Sequence, residues 1–104
     1  MTELDQLVAG IRQATDYQTN KRILREKITI DLHVAYNNGL FLVKPELIAF
    51  LATWPSDELY LEDTYQNPIK IVRQEFLELC QQHYQMVMNA WHIKHEELKR
   101  TRKI

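Results

Sequence analysis

The chain has 104 residues, 45% of them hydrophobic and 26% charged, which suits one globular domain with a single core and is too little for a two-domain enzyme. Its 13 basic and 14 acidic side chains leave a formal net charge of −1, so no global field draws it toward nucleic acid or an anionic membrane. A single cysteine, Cys80, excludes an internal disulfide and a multi-cysteine zinc or iron–sulfur centre.

The first element expected is a short amphipathic helix over residues 2–14, with Leu4, Leu7, Val8 and Ile11 at helical spacing and Thr2 and Asp5 placed as a weak capping box. Residues 15–20 are polar and turn-rich, so residues 1–20 read either as part of the single domain, 1–104, or as a mobile N-terminal arm. Segment 21–37 fits two periods. Ile28, Ile30, Leu32, Val34 and Tyr36 alternate as in a strand, while Leu24, Ile28, Leu32 and Ala35 make a helical stripe. Asn37-Asn38-Gly39 ends either one, as a helix stop with Gly39 left-handed or as a hairpin loop with a glycine bulge.

Leu40 to Val43 is a short apolar run that suits a buried strand. Lys44-Pro45-Glu46 then starts a helix, because proline at the first position gives up an amide that has no partner there. Leu47, Ile48, Phe50, Leu51 and Trp54 form its expected buried face, and Pro55-Ser56-Asp57 ends it. Residues 58–62 and 69–72 alternate on either side of a five-residue loop, Asp63 to Asn67, and so read as a hairpin.

From Arg73 to about residue 100 there is no glycine or proline, and Leu77, Cys80, Tyr84, Val87, Met88, Trp91 and Leu98 mark one side of a long helix. At 1.5 Å per residue it spans roughly 40–45 Å, against a diameter near ~34 Å for a compact chain of this size. Its far end should therefore overhang the globule. The expected fold class is α+β, predominantly helical, with a small antiparallel sheet from 40–43, 58–62 and 69–72 packed with helices.

The overhang sets the functional expectation: a non-catalytic protein–protein interaction or assembly accessory protein, acting as a homo-oligomer through Leu77, Tyr84, Val87, Met88, Trp91 and Leu98. The alternative is single-stranded nucleic-acid binding by two basic segments that each carry +3, 21–27 and 94–103, using Lys21, Arg22, Arg25, Lys27, Lys99, Arg100, Arg102 and Lys103. Residues 44–63 carry −4, so opposite blocks can attract each other or a second copy.

No catalytic motif emerges, and no cofactor is implied. His92, His95 and Glu96 lie at helical spacing for one cation, but not in the zincin order. Cys80 and His83 have no readable orienting group or oxyanion site, and Cys80 falls on the apolar stripe, where cysteine acts as a small hydrophobe. Glu58, Glu62 and Asp63, beside Tyr60 and Tyr65, read as a solvated sheet edge. Gly10 and Gly39 are too far apart for a phosphate loop. No run approaches the roughly 18 apolar residues of a membrane span and the N-terminus lacks a secretory pattern, so a cytoplasmic location is expected.

At Gly39-Leu40-Phe41 through Pro45-Glu46-Leu47-Ile48-Ala49-Phe50, and at Asn67-Pro68-Ile69 followed by Met88, Trp91 and a basic end, the chain resembles small uncharacterised proteins of tailed bacteriophages of the myovirus type. The resemblance covers residues 35–100 and carries no functional motif. It implies a phage protein in the host cytoplasm, with an assembly or replication-associated role, and transfers no active site.

Overall fold

The computed structural model describes residues 2–101, and its element order is α1 (Glu3–Asp31), β1 (His33–Tyr36), β2 (Gly39–Leu42), α2 (Pro45–Thr53), β3 (Glu58–Glu62), β4 (Pro68–Val72) and α3 (Arg73–Thr101). The class is α+β and mostly helical, with a long C-terminal helix.

Helix α1 starts at a complete capping box: the Asp5 N–H donates to Thr2 Oγ1 at 3.2 Å, and the Thr2 N–H donates to the Asp5 carboxylate at 3.3 Å. It then runs unbroken through residues 15–20, where a loop was expected. Thr15 turns its hydroxyl back to the Ile11 carbonyl at 3.0 Å, and Tyr17 buries its ring. A polar run is compatible with helix when one face has something to pack on, and here that is α3.

The ambiguous segment 21–37 divides between its two readings. Helix continues to Asp31, with Ile28 buried and the Thr29 hydroxyl donating to the Arg25 carbonyl at 3.1 Å; strand begins at His33. Packing of Ile28 outweighs the tenths of a kcal/mol that β-branched residues lose in a helix. Tyr36 pairs with Gly39 across a two-residue turn in which Asn37 and Asn38 have φ of 47° and 68°, as a type I′ turn requires. The asparagines, not Gly39, thus take the left-handed region. Gly39 serves another end: a Cβ there would lie 2.7 Å from Ile69 Cγ1, so glycine permits the two hairpins to approach.

The single sheet expected from 40–43, 58–62 and 69–72 is two separate two-stranded sheets, because β2 pairs with β1 and β3 pairs with β4. They meet through the loop after β3, where the Thr64 N–H donates to the Leu40 carbonyl at 2.8 Å. In α2 only part of the expected buried face is buried. Leu51 is enclosed and Leu47 and Ile48 pack beside the core, whereas Phe50 and Trp54 stack on each other at 5.2 Å on the exposed side. Trp54 lies past the end of the helix as its extended C-cap, and Phe50 packs on it there.

Val34, Phe41, Val43, Leu51, Leu59, Ile71, Phe76, Leu77 and Cys80 form the core, with the Phe76 ring between those of Tyr36 and Phe41 at 4.7 and 4.9 Å. Arg73 locks the start of α3 by donating to the Ser56 and Leu51 carbonyls at 3.1 and 3.2 Å. This core occupies one end of a body measuring 68 × 23 × 18 Å.

Candidate interaction surface

The rest of that length is a stalk in which α1 and α3, 29 residues each, run antiparallel. At its base His83 Nε2 donates to the Asp31 carbonyl oxygen. One turn further Arg25 faces Met88 and Trp91, and further still Lys21 shares a hollow with His92 and His95. Falling numbers on one helix thus meet rising numbers on the other.

The long C-terminal helix is unbroken, but the seam it was expected to offer to a second chain is largely covered within the same chain. Leu77 lies in the core and Val87 is buried; Tyr84, Met88 and Trp91 are half-buried along α1, and Leu98 is half-buried near its end. What changes the outcome is that residues 15–20 are helical, which gives α3 an intrachain partner of its own length.

Among the described residues two apolar rows on the stalk remain uncovered, and the sequence singles out neither as an interaction surface. On α3, Leu79, Met86 and Ile93 recur every seven residues on the face away from the seam, and all are exposed. Their period was readable, but it is the same period as that of Leu77, Tyr84, Trp91 and Leu98, displaced by two positions. On α1, Leu4, Leu7, Val8 and Ile11 are 67, 61, 49 and 59% exposed. If Lys21 is level with His95, the last described residue of α3, Thr101, reaches only about residue 15 of α1, so residues 3–13 project roughly 17 Å past it.

On one side of the stalk the two helices leave an open groove. Its outer part is lined by Lys21, Arg25, Met88, Trp91, His92 and His95; its inner part shares Arg25, Met88 and Trp91 and adds Ile28, Thr29, Leu32, Val43, Lys44, Pro45 and Tyr84. The floor is apolar and the rim cationic. The fold therefore sets Lys21 and Arg25 of the first basic segment beside Trp91, but among the described residues no Lys or Arg of segment 94–103 lines the groove. Arg22, Lys94 and Lys99 are matched by Glu26, Glu97 and Glu96 at 4.0, 3.6 and 3.6 Å, in exposed pairs that add little stability. Lys27, two positions beyond Arg25, lies on the far side of α1; Arg100 is exposed, and Arg102 and Lys103 lie outside the described residues.

The other candidates are placed as follows. Glu96 pairs with Lys99 while His92 and His95 border the groove, and among the described residues no three His, Cys, Asp or Glu side chains converge on a metal position. Cys80 sits in the core, where burial pushes its thiol up to about 11, and His83 is committed to the Asp31 carbonyl. Glu58 and Glu62 are exposed, Glu58 with Lys70 at 3.4 Å. Asp63 departs from the expected solvated edge: it is 6% exposed, and its carboxylate accepts the N–H groups of Asn67, Tyr65 and Leu40 at 2.9, 3.0 and 3.1 Å. The Asn67 N–H foremost, helped by Leu40 and Tyr65 and opposed by burial, holds its carboxyl below the usual carboxylate range.

Among the described residues no helix is long and apolar enough to cross a membrane. No family model, no curated protein and no solved structure matches the chain.

Proposed function

We propose that the protein is a non-catalytic interaction or assembly accessory protein, working through its two-helix stalk and as a homo-oligomer. The observation that carries this reading is shape joined to exposure. The radius of gyration is 19.8 Å, against about 13 Å for a compact domain of this length. The chain presents 7809 Å² to solvent, about 1,600 Å² more than the ~6,200 Å² of a compact monomer of its mass. On the stalk, apolar rows on both helices stand uncovered, as interaction sites do. The resemblance of residues 35–100 to myovirus-type phage proteins supports a phage setting in the host cytoplasm.

Affinity capture with the intact chain, compared with capture by two variants, tests the reading. Met86→Glu with Ile93→Glu removes the outer row of α3, and Leu7→Glu with Ile11→Glu removes the row on α1. Recovery of the same partner, including a second copy, by the native chain and its loss from one variant is the expected result. Identical recovery by all three proteins would oppose it.

A second reading, single-stranded nucleic-acid binding, is favoured by one observation: the fold sets Lys21 and Arg25 around the half-buried Trp91. If it holds, Lys21→Ala with Arg25→Ala lowers the slope of log affinity against log salt by about 1.4, at ~0.7 per phosphate contact. No retention of a single-stranded oligonucleotide at low salt would remove it.

A further inference from the structure

The uncovered row on α1 and the groove between α1 and α3 belong to the same side of the stalk. Leu4 and Ile11 stand three and two whole heptads before Arg25, which lines the groove, and Leu32 continues the same row one heptad beyond it. Residues seven apart share a helix face, with a drift of about 20° per heptad that leaves them on one side over this distance.

Their chemistry is complementary. Leu4, Leu7, Val8 and Ile11 make an apolar stripe flanked in its first turn by Glu3 and Asp5, with Arg12 after Ile11, so the N-terminal turns of α1 are an amphipathic helix that is acidic at its start and carries −1 over residues 3–12. The groove has an apolar floor centred on Met88 and Trp91, and a rim of Lys21, Arg25 and Lys44 with two imidazoles. Among the described residues none of these three rim cations has an ion-pair partner. An apolar groove of this kind takes an amphipathic helix, and the rim charge selects one with acidic flanks. An anionic membrane surface is the wrong occupant for the tip, which lacks the basic polar face such helices carry.

Within one chain the two halves cannot meet. The stripe is centred near residue 7 and the groove near residue 25 of a single continuous helix, about 27 Å apart at 1.5 Å per residue. We infer that the occupant of the groove is the N-terminal end of α1 from a second copy, inserted reciprocally, so that two stalks lie antiparallel about a two-fold axis near residue 16. This deepens the reading proposed above and depends on it. The arrangement is isologous: the tip of each copy fills the groove of the other, and the assembly closes at two chains.

Sedimentation equilibrium on the full chain between 1 and 100 μM tests the inference. The native protein is expected as a dimer. Leu7→Glu with Ile11→Glu should weaken it at least about a hundredfold, and Lys21→Glu with Arg25→Glu about tenfold or more, with helical circular dichroism retained because these side chains are exposed in the single chain. Met86→Glu with Ile93→Glu, on the opposite face, should leave the dimer intact. A native chain that is monomeric at 100 μM overturns the inference, as does a dimer dissociated by the Met86 and Ile93 changes and not by those at Leu7 and Ile11. In both cases the interaction reading is judged separately by affinity capture. Occupation of the groove by a single-stranded oligonucleotide on a monomeric chain, lost in Lys21→Glu with Arg25→Glu, also overturns it.

Discussion

The Asp63 carboxylate, at the end of β3, accepts the backbone N–H of Leu40, in β2, at 3.1 Å. Through this bond the second hairpin is fastened to the first, since no ladder joins their strands. The same carboxylate takes the Tyr65 and Asn67 N–H groups and so closes its own five-residue loop. Three backbone amides, from Leu40, Tyr65 and Asn67, thus converge on one buried side chain.

Because those amides favour the charged form, the folded carboxyl lies below its unfolded value, near 3.9. The folded state therefore binds fewer protons. The contribution is complete above about pH 5 and is lost as pH falls through the folded value. Urea unfolding between pH 7 and pH 2 should show a steeper loss of stability below pH 4 for the native chain than for Asp63→Asn, with the variant less stable at pH 7. Parallel curves would mean that the carboxylate does not join the hairpins.

Gly39 holds the same junction from the steric side. A Cβ at this position falls 2.7 Å from Ile69 Cγ1 and 3.0 Å from Phe41 Cε2, and Phe41 is buried. Gly39→Ala should cost about 1–3 kcal/mol, the range for overfilling a packed site. In an Ile69→Ala background the same change should cost clearly less, since the nearest atom has gone. Additive effects in denaturant melts of the two single variants and the double variant would place the strain elsewhere.

Much of this architecture was legible in the sequence, and the misreadings share a cause. The proline start of α2, the β3–β4 hairpin and the long α3 each follow from local signals: a missing amide, period two, and an uninterrupted heptad. Segment 21–37 stays undecided in the sequence because Ile28 and Leu32 obey both periods; packing on α3 holds Ile28 in the helix, and Val34 falls in the strand beyond it. Thr15 to Asn20 looks like a loop because Tyr17 alone signals the buried face. Asp63 could not be separated from Glu58 and Glu62 by pattern, since its role comes from Leu40, 23 residues away. For the interaction surface, the sequence shows two heptad rows on α3 and cannot say which one α1 covers.

Cys80 reports on the integrity of the core. It is fully buried, and with its thiol pushed up to about 11 almost none is thiolate at pH 8. Labelling with an aromatic disulfide reagent should be at least about a hundredfold slower in the folded chain than in urea, proceeding only through opening of the core. A native rate that rises in step with pH between 7 and 9, at the level of an unfolded thiol, would contradict this burial.

Adjacent residues on α3 test which heptad row faces α1. Val87 is 5% exposed and Met86 60%, so a turn of about 100° separates a packed position from a free one. Val87→Ala removes buried methyl groups from the stalk and should cost about 2 kcal/mol in urea unfolding, toward the low end for large-to-small changes because valine is small. Met86→Ala should stay within about 0.5 kcal/mol of the native value, as exposed substitutions do. The contrast is independent of any dimer, because Met86 lies opposite the proposed interface and the cost at Val87 arises within one chain. If Met86→Ala were the costly change and Val87→Ala neutral, α3 would have to be turned about its axis, with Leu79, Met86 and Ile93 against α1 and Tyr84, Trp91 and Leu98 left for a partner.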